Sequence, residues 1–216
     1  YTIERHYPEI KEDHNKPLSL LKAVIEKQAE LITHWMRVGF IHGIMNTDNM
    51  TLSGETIDYG PCAFMDAYDP GTVFSSIDHT GRYAYTNQPA MAQWNLARLA
   101  ETMLPLFDDE TEKATDMAEE AVNGFGEVYK ERSLSMLRAK LGLFGARAED
   151  ENLITDLLDW MQRQDADYTN TFRDLTKEAL PKGEPYDDET FKEWYTRWQA
   201  RLAKNMEPLK FSLSLM

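Results

Sequence analysis

The chain reads as a mainly α-helical protein, a helical bundle that carries one short β-hairpin. Three observations predict this. Apolar residues recur three and four apart in a stretch before residue 39, and again through most of the chain after residue 88. Between these regions, residues 38–66 (VGFIHGIMNTDNMTLSGETIDYGPCAFMD) lose that period and crowd Gly, Asn, Asp and Thr together. Inside that stretch, Met50, Thr51 and Leu52 face Glu55, Thr56 and Ile57 across Ser53-Gly54, a turn pair between two β-capable pieces.

Residues 1–16 are polar and interrupted by His6, Pro8 and His14, so they are expected to be a lead-in from a preceding unit. Pro17 suits the first turn of a helix, and Leu20, Leu21, Val24, Ile25, Leu31, Ile32, Trp35 and Met36 give that helix one apolar stripe. Gly39 can end it. His34, near the last turn, reads as a surface histidine facing the helix dipole. Residues 59–87 are rich in Gly, Pro, Asp and Tyr and have no steady period. An irregular stretch of that length is more often ligand-facing than idle. A helical region is expected over 88–216. Its first helix carries Met91, Trp94, Leu96, Leu99 and Met103 and is closed by Pro105, and further helices follow at 109–129, 134–143, 151–164, 169–180 and 187–204. Asp187 or Asp188 can cap the last one, whose Phe191, Trp194, Tyr195 and Trp198 form an aromatic core face. Ala148-Glu149-Asp150-Glu151 reads as a solvated helix start.

With 216 residues, 42% of them hydrophobic, the chain can bury a core in one large domain or two small ones, and residues 1–216 are taken as one. The formal net charge of −14 argues against a broad nucleic-acid or anionic-membrane surface, though not against a nucleotide held through divalent ions. No apolar run approaches the roughly 20 residues that span a bilayer. Cys62 is the only cysteine, which excludes an intramolecular disulfide. The chain opens on Tyr1 without an initiator Met, as mature processing or a fragment of a longer protein would produce.

Asn49 at the hairpin's entrance and Asp58 at its exit are expected to emerge side by side. An amide oxygen and a carboxylate make a hard-oxygen site suited to Mg²⁺ or Mn²⁺, with positions open for water and phosphate. Protein kinases place an Asn, a short hairpin and Asp-Phe-Gly in this order, and here Asp58-Tyr59-Gly60 stands in the last place. The order of signals therefore points to a protein-kinase-like C-terminal lobe. One departure matters for the chemistry. The kinase base lies two positions after the loop His, but two positions after His42 stands Ile44. Asp48 is the nearest carboxylate and the best candidate for a base. Asn46, Asp48 and Asn49 also suit simple Asx-turns. His42 reads as a holder of the loop, and Arg82 as an anchor to a carboxylate or, less readily, a phosphate ligand.

HGIMNTDNM, TIDYGPCAFMD and DHTGRYAYTNQPAMAQWNL resemble the selenoprotein O family, protein adenylyltransferases with a pseudokinase fold. The resemblance runs from RHYPE near the start to about Leu99. It implies transfer of AMP from ATP to Ser, Thr or Tyr hydroxyls of proteins, with Asp48 as proton acceptor. It also implies that Asn49 and Asp58 hold the Mg²⁺ (or Mn²⁺), Asp58 touching ATP through the metal and phosphates. The partners implied are ATP and protein substrates, with no nucleic acid and no membrane. The location implied is cytoplasmic for a bacterial chain and mitochondrial for a eukaryotic one. The family's glycine-rich segment, its Lys–Glu pair and its phosphate-holding arginines correspond to positions before Tyr1, so the chain is expected to be a C-terminal lobe with little activity alone. A kinase-like phosphotransferase lobe and a non-catalytic helical interaction module are the alternatives.

Overall fold

The computed structural model describes residues 1–206. Residues 207–216, the end of the expected helical region, lie outside the described residues. The chain divides into two compact units, one of Tyr1–Phe64 with Gly71–Ser133, the other of Met65–Pro70 with Leu134 onward. The structure is mainly helical, with one small antiparallel sheet of two strands. Among the described residues no helix is long and apolar enough to cross a membrane.

In the first unit the central element is α2 (Lys16–Val38), which starts and stops where its sequence says. The Asn15 side chain accepts the Leu18 N–H at 3.1 Å, Pro17 sits in the first turn where no N–H is needed, and Gly39 closes the helix at φ 71°. Leu21, Val24, Ile25, Ile32, Trp35 and Met36 are buried along one stripe. Helix α3 (Gln88–Phe107) packs against α2, and α4 (Thr111–Asn123) packs against both. The expected lead-in is not loose. It forms α1 (Thr2–His6) and a short 3₁₀ turn (Pro8–Ile10), and Tyr7 between them is only 2% exposed, its hydroxyl donating to the Leu52 carbonyl. Burial pushes the Tyr7 hydroxyl up to about 12. One aromatic residue without a period carries this docking, and periodicity does not register it.

Two expected boundaries shift. Pro105 does not close α3, which runs on to Phe107. In the last turn a proline removes only the bond to the Glu101 carbonyl, and Glu101 is exposed to solvent. The helix expected over 109–129 is interrupted at Gly124, after which α5 (Phe125–Lys140) takes up the stretch expected as a separate helix over 134–143.

The second unit holds α6 (Asp150–Arg163), α7 (Tyr168–Asp174) and α8 (Glu189–Ala203). Asp188 caps α8 by accepting the Phe191 N–H at 3.2 Å, and it also accepts the Trp160 indole N–H at 3.0 Å. The aromatic face is core as expected, except that Tyr195 is only half-buried. Phe191, Trp194 and Trp198 are buried, and the Trp160 and Phe191 rings lie 4.5 Å apart. The Trp194 and Trp198 indoles donate to the Leu153 and Leu141 carbonyls at 2.8 and 2.9 Å, so these buried aromatics keep no unpaired N–H. Helix α7 stops six residues short of the expected 180, because the Asp174 carboxylate turns back to take the Tyr186 hydroxyl at 2.9 Å and Lys177 at 2.7 Å.

The solvated helix start expected at 148–151 is overturned at Asp150, which is fully buried. Its carboxylate accepts Arg201 Nε at 2.7 Å, Arg138 Nε at 2.9 Å and the Arg147 backbone N–H at 3.0 Å. Burial alone would push this carboxyl up, but the bonds from Arg201, Arg147 and Arg138 outweigh it and hold the group below the usual carboxylate range.

Candidate active site

The polar segment begins directly after Gly39. Strand β1 (Phe40–Ile41) pairs antiparallel with β2 (Ala63–Phe64), Phe40 opposite Phe64 and Ile41 opposite Ala63, so a two-stranded clasp closes the loop between them. Regular pairing was expected inside the loop instead. There the hairpin shrinks to a single antiparallel bridge, Met50 opposite Thr56. Thr51 accounts for the loss, since its hydroxyl accepts the Glu55 N–H at 2.9 Å and donates to the Glu55 carbonyl at 2.8 Å. A side chain that bonds the backbone locally competes with a strand ladder. Of residues 38–66, Met65 and Asp66 fall in the second unit.

His42 is fully buried, and its ring ties the two halves of the loop together. Nε2 donates to the Ile57 carbonyl at 2.8 Å, and Nδ1 faces the Ile44 N–H at 3.4 Å, partners that suit a neutral ring protonated on Nε2. The Trp35 ring lies 5.3 Å away, and the Trp35 indole itself donates to Thr56 Oγ1 at 2.8 Å. Gly43 must be glycine. Its φ is 87°, and a Cβ there would stand 2.9 Å from Pro61 Cγ.

Asp48 and Asn49 lie in a 3₁₀ turn (Thr47–Asn49), with the Asn49 N–H bonded to the Asn46 carbonyl at 3.0 Å. Asn49 Nδ2 donates to the Ile44 carbonyl at 3.0 Å, which fixes the amide and turns its oxygen away from that carbonyl. Asn46 makes no Asx-turn contact of this kind. Its Oδ1 accepts the Tyr83 hydroxyl at 2.7 Å. Asp48 is exposed. So is Asp58. Asp58 adopts φ 55°, in the left-handed region that Asp tolerates better than most residues, and its carbonyl accepts the Gly60 N–H at 2.8 Å. Asn49 and Asp58 therefore stand just before and just after the Met50–Thr56 bridge in the chain, at its open end. Their oxygens have the hard character that Mg²⁺ or Mn²⁺ takes. Among the described residues no group of three or more His, Cys, Asp or Glu is placed to hold a metal ion.

Among the described residues Arg82 makes no ion pair with a carboxylate, and its guanidinium lies 4.9 Å from the Trp94 ring centre and 5.7 Å from that of Tyr83. Asp78 instead organises this stretch by accepting the N–H groups of Tyr83, Arg82 and Thr80 at 2.8, 2.9 and 3.3 Å. Burial pushes the Asp78 carboxyl up, and these backbone bonds more than offset it, leaving the group below the usual range. His34 is a surface residue as expected, 4.0 Å from Glu30.

Sequence reasoning missed the side chains that hold the loop from behind. Gln88, fully buried in the first turn of α3, donates to the Phe40 carbonyl at 2.9 Å and accepts the His42 N–H at 3.0 Å. Asn95 donates to the Met45 carbonyl at 3.0 Å, and Gln28 to the Thr51 carbonyl at 2.6 Å. The available signal was weak, consisting of uncharged polar residues lying in or beside the apolar stripes of α2 and α3.

The protein-family comparison matches the description protein adenylyltransferase SelO over residues 1–210. Curated relatives called protein nucleotidyltransferase YdiU align along the whole chain. The one from Nitrosococcus oceani is 61% identical and the one from Alcanivorax borkumensis 58% identical, each over 216 residues. A third, from Syntrophotalea carbinolica, is 54% identical over 216 residues. In each case all of this chain is covered but only 44–45% of the relative, so the chain spans less than half the length of these relatives. The match of the family description to nearly all of the chain makes it a member of the protein adenylyltransferase SelO family.

Proposed function

We propose that the chain is the kinase-like C-terminal lobe of a protein adenylyltransferase, which moves AMP from ATP to Ser, Thr or Tyr hydroxyls of proteins. The observation that carries this reading is the His42 clamp. A buried imidazole bonded to the Ile57 carbonyl fixes the backbone directly before Asp58 relative to the loop that bears Asp48 and Asn49. Asp48, exposed and beside Asn49, takes the proton of the substrate hydroxyl. The freed oxygen attacks the α-phosphorus of ATP, the bond from that phosphorus to the bridging oxygen breaks, and pyrophosphate leaves with the electron pair. Asn49 and Asp58 would hold the divalent ion, Mg²⁺ or Mn²⁺, which would neutralise charge on the phosphates. Ile44 cannot act as a base at the kinase position, which favours Asp48 for the role and adenylyl over phosphoryl transfer.

The test uses the full-length protein with ATP and an acceptor protein. Asp48→Ala should lower kcat far more than it weakens nucleotide binding, whereas Asp58→Ala should abolish metal-dependent nucleotide binding as well. Mass spectrometry of the acceptor should find an adenylyl adduct. A phosphoryl adduct, or equal loss of ATP affinity in both variants, would refute the assigned roles. Residues 1–216 alone should transfer little or no AMP, and appreciable transfer by that chain would overturn its assignment as half of a nucleotide site.

A further inference from the structure

Beside the loop that carries Asp48 and Asn49, the first unit holds a cation in place without neutralising it. Arg82 is exposed, and its guanidinium is held against the rings of Trp94 and Tyr83, at 4.9 and 5.7 Å from their centres. Trp94 is itself exposed. An aromatic face attracts the charge but accepts none of the five guanidinium N–H groups in the way an oxygen would. Among the described residues those donors meet no carboxylate, carbonyl or hydroxyl. Arg98, 5.2 Å from the same Trp94 ring, differs because it pairs with Glu101 at 2.5 Å. The chain has 37 acidic and 23 basic residues, so Arg82 is not left unpaired for want of carboxylates.

Two bonds fix where this cation stands. Tyr83, next to Arg82 in the chain, donates its hydroxyl to Asn46 Oδ1 at 2.7 Å, and Asn95, next to Trp94, donates to the Met45 carbonyl at 3.0 Å. Arg82 and Trp94 are thus each one residue from a bond to the loop, and Asn46 stands two residues before Asp48. The backbone under Arg82 is set as well. Asp78 accepts the Arg82 N–H at 2.9 Å, and Asn87 Nδ2 donates to the Gly81 carbonyl at 2.7 Å. A guanidinium on a fixed backbone, braced by rings and with its donors in water, can take a carboxylate through two parallel bonds at little ordering cost. We propose that Arg82, seated on Trp94, is a specificity-determining residue that binds the carboxylate of an Asp or Glu lying a few residues from the hydroxyl to be modified in the acceptor protein. The inference rests on the proposed transfer to protein hydroxyls. The carboxylate that Arg82 lacks within the fold is then one that the acceptor brings.

The test uses the full-length protein and two fluorescently labelled peptides that differ only in charge, Gly-Glu-Glu-Ser-Glu-Glu-Gly and Gly-Lys-Lys-Ser-Lys-Lys-Gly, with binding read by anisotropy in the absence of ATP. The acidic peptide should bind about three- to tenfold more tightly at low salt, and added salt should shrink the difference. Arg82→Ala should remove the preference and Arg82→Glu should invert it, an inversion that loss of structure alone cannot produce. Both variants keep the bond to Asp78, whose donor at residue 82 is backbone. Trp94→Leu keeps the charge but removes its seat, and should weaken the preference. ATP affinity should be the same in the Arg82 variants as in the unaltered protein. Equal affinity for the two peptides, no binding of the acidic peptide at about 1 mM, or a preference that survives Arg82→Ala would each overturn the proposal. Loss of ATP affinity in place of peptide affinity would also overturn it, by making Arg82 a phosphate ligand. Adenylyl adducts on an acceptor without any peptide preference would refute this role alone, whereas the preference without any adduct would refute the transfer and leave the carboxylate site.

Discussion

Replacing His42 by alanine tests whether the loop is held by this ring. The substitution removes the bond from Nε2 to the Ile57 carbonyl, worth about 1 kcal/mol net. It also empties the space of a fully buried ring packed 5.3 Å from Trp35, worth about 2 kcal/mol for a truncation of that size. The sum is about 3 kcal/mol. With two compact units in the chain, a single unfolding midpoint would mix their stabilities, so the appropriate assay is native-state hydrogen exchange at the buried amides of α2, which report the first unit. A loss of about 3 kcal/mol should speed their exchange by about 150-fold, at 1.4 kcal/mol per factor of ten. Amides of α6 and α8, in the other unit, should change little. An acceleration below about fivefold in α2 would show that the ring is not what holds the loop, and His42 would have to be reconsidered as a group that acts on substrate.

Other perturbations test the surrounding framework. Gly43→Ala forces a Cβ to within 2.9 Å of Pro61 Cγ at φ 87°, and should destabilise the first unit by about 1–3 kcal/mol in the same exchange assay. Gln88→Leu strands the Phe40 carbonyl and the His42 N–H together, a loss of about 2–4 kcal/mol that should show as faster exchange at amides 40–43. Asp150→Asn leaves Arg201, itself 2% exposed, without a counter-charge, and should cost the second unit about 3–5 kcal/mol at neutral pH, read as faster exchange at the buried amides of α6 and α8. The same carboxylate sets a pH dependence. Its folded value lies below its unfolded value of about 3.9, so its contribution is fully present above about pH 4 and is lost as the pH falls through the depressed folded value. Asp150→Asn should therefore flatten the acid limb of stability below about pH 4, and an unchanged acid limb would count against the linkage.

The parts legible in the sequence share a physical cause, and so do the parts that were not. Helices α2 and α8 could be placed within two residues because Pro17, Gly39 and Asp188 act on their own local backbone and need no knowledge of the rest of the chain. Pro105 and Gly124 misled for the opposite reason. A proline two residues from a helix end loses almost nothing, and a glycine inside an amphipathic run interrupts the helix only if packing lets it. Asp150 reads as solvated when taken alone. Its guanidinium partners stand 12 and 51 residues away in the chain, a separation no local pattern can express.

The candidate site divides along the same line. Asp48, Asn49 and Asp58 could be put forward because hard oxygens at hairpin spacing are a chemical pattern visible in the sequence. Of the residues that shape the site, His42 was read as a holder of the loop, whereas Gln28, Gln88 and Asn95 were missed because their task is to hold backbone. Gln28, Gln88, Asn95 and His42 all donate to loop or strand carbonyls, at Thr51, Phe40, Met45 and Ile57 in turn. The buried polar side chains thus fix the backbone on both sides of the bridge, while the carboxylates of Asp48 and Asp58 stay exposed. That asymmetry suits the metal-bound nucleotide proposed above. A carboxylate tied to a neighbour in the fold would have to give up that bond to take a proton or a cation, whereas one left in water on an immobilised backbone gives up only solvent. Mutations at the four supporting residues should therefore loosen the loop without changing the chemical character of its exposed face.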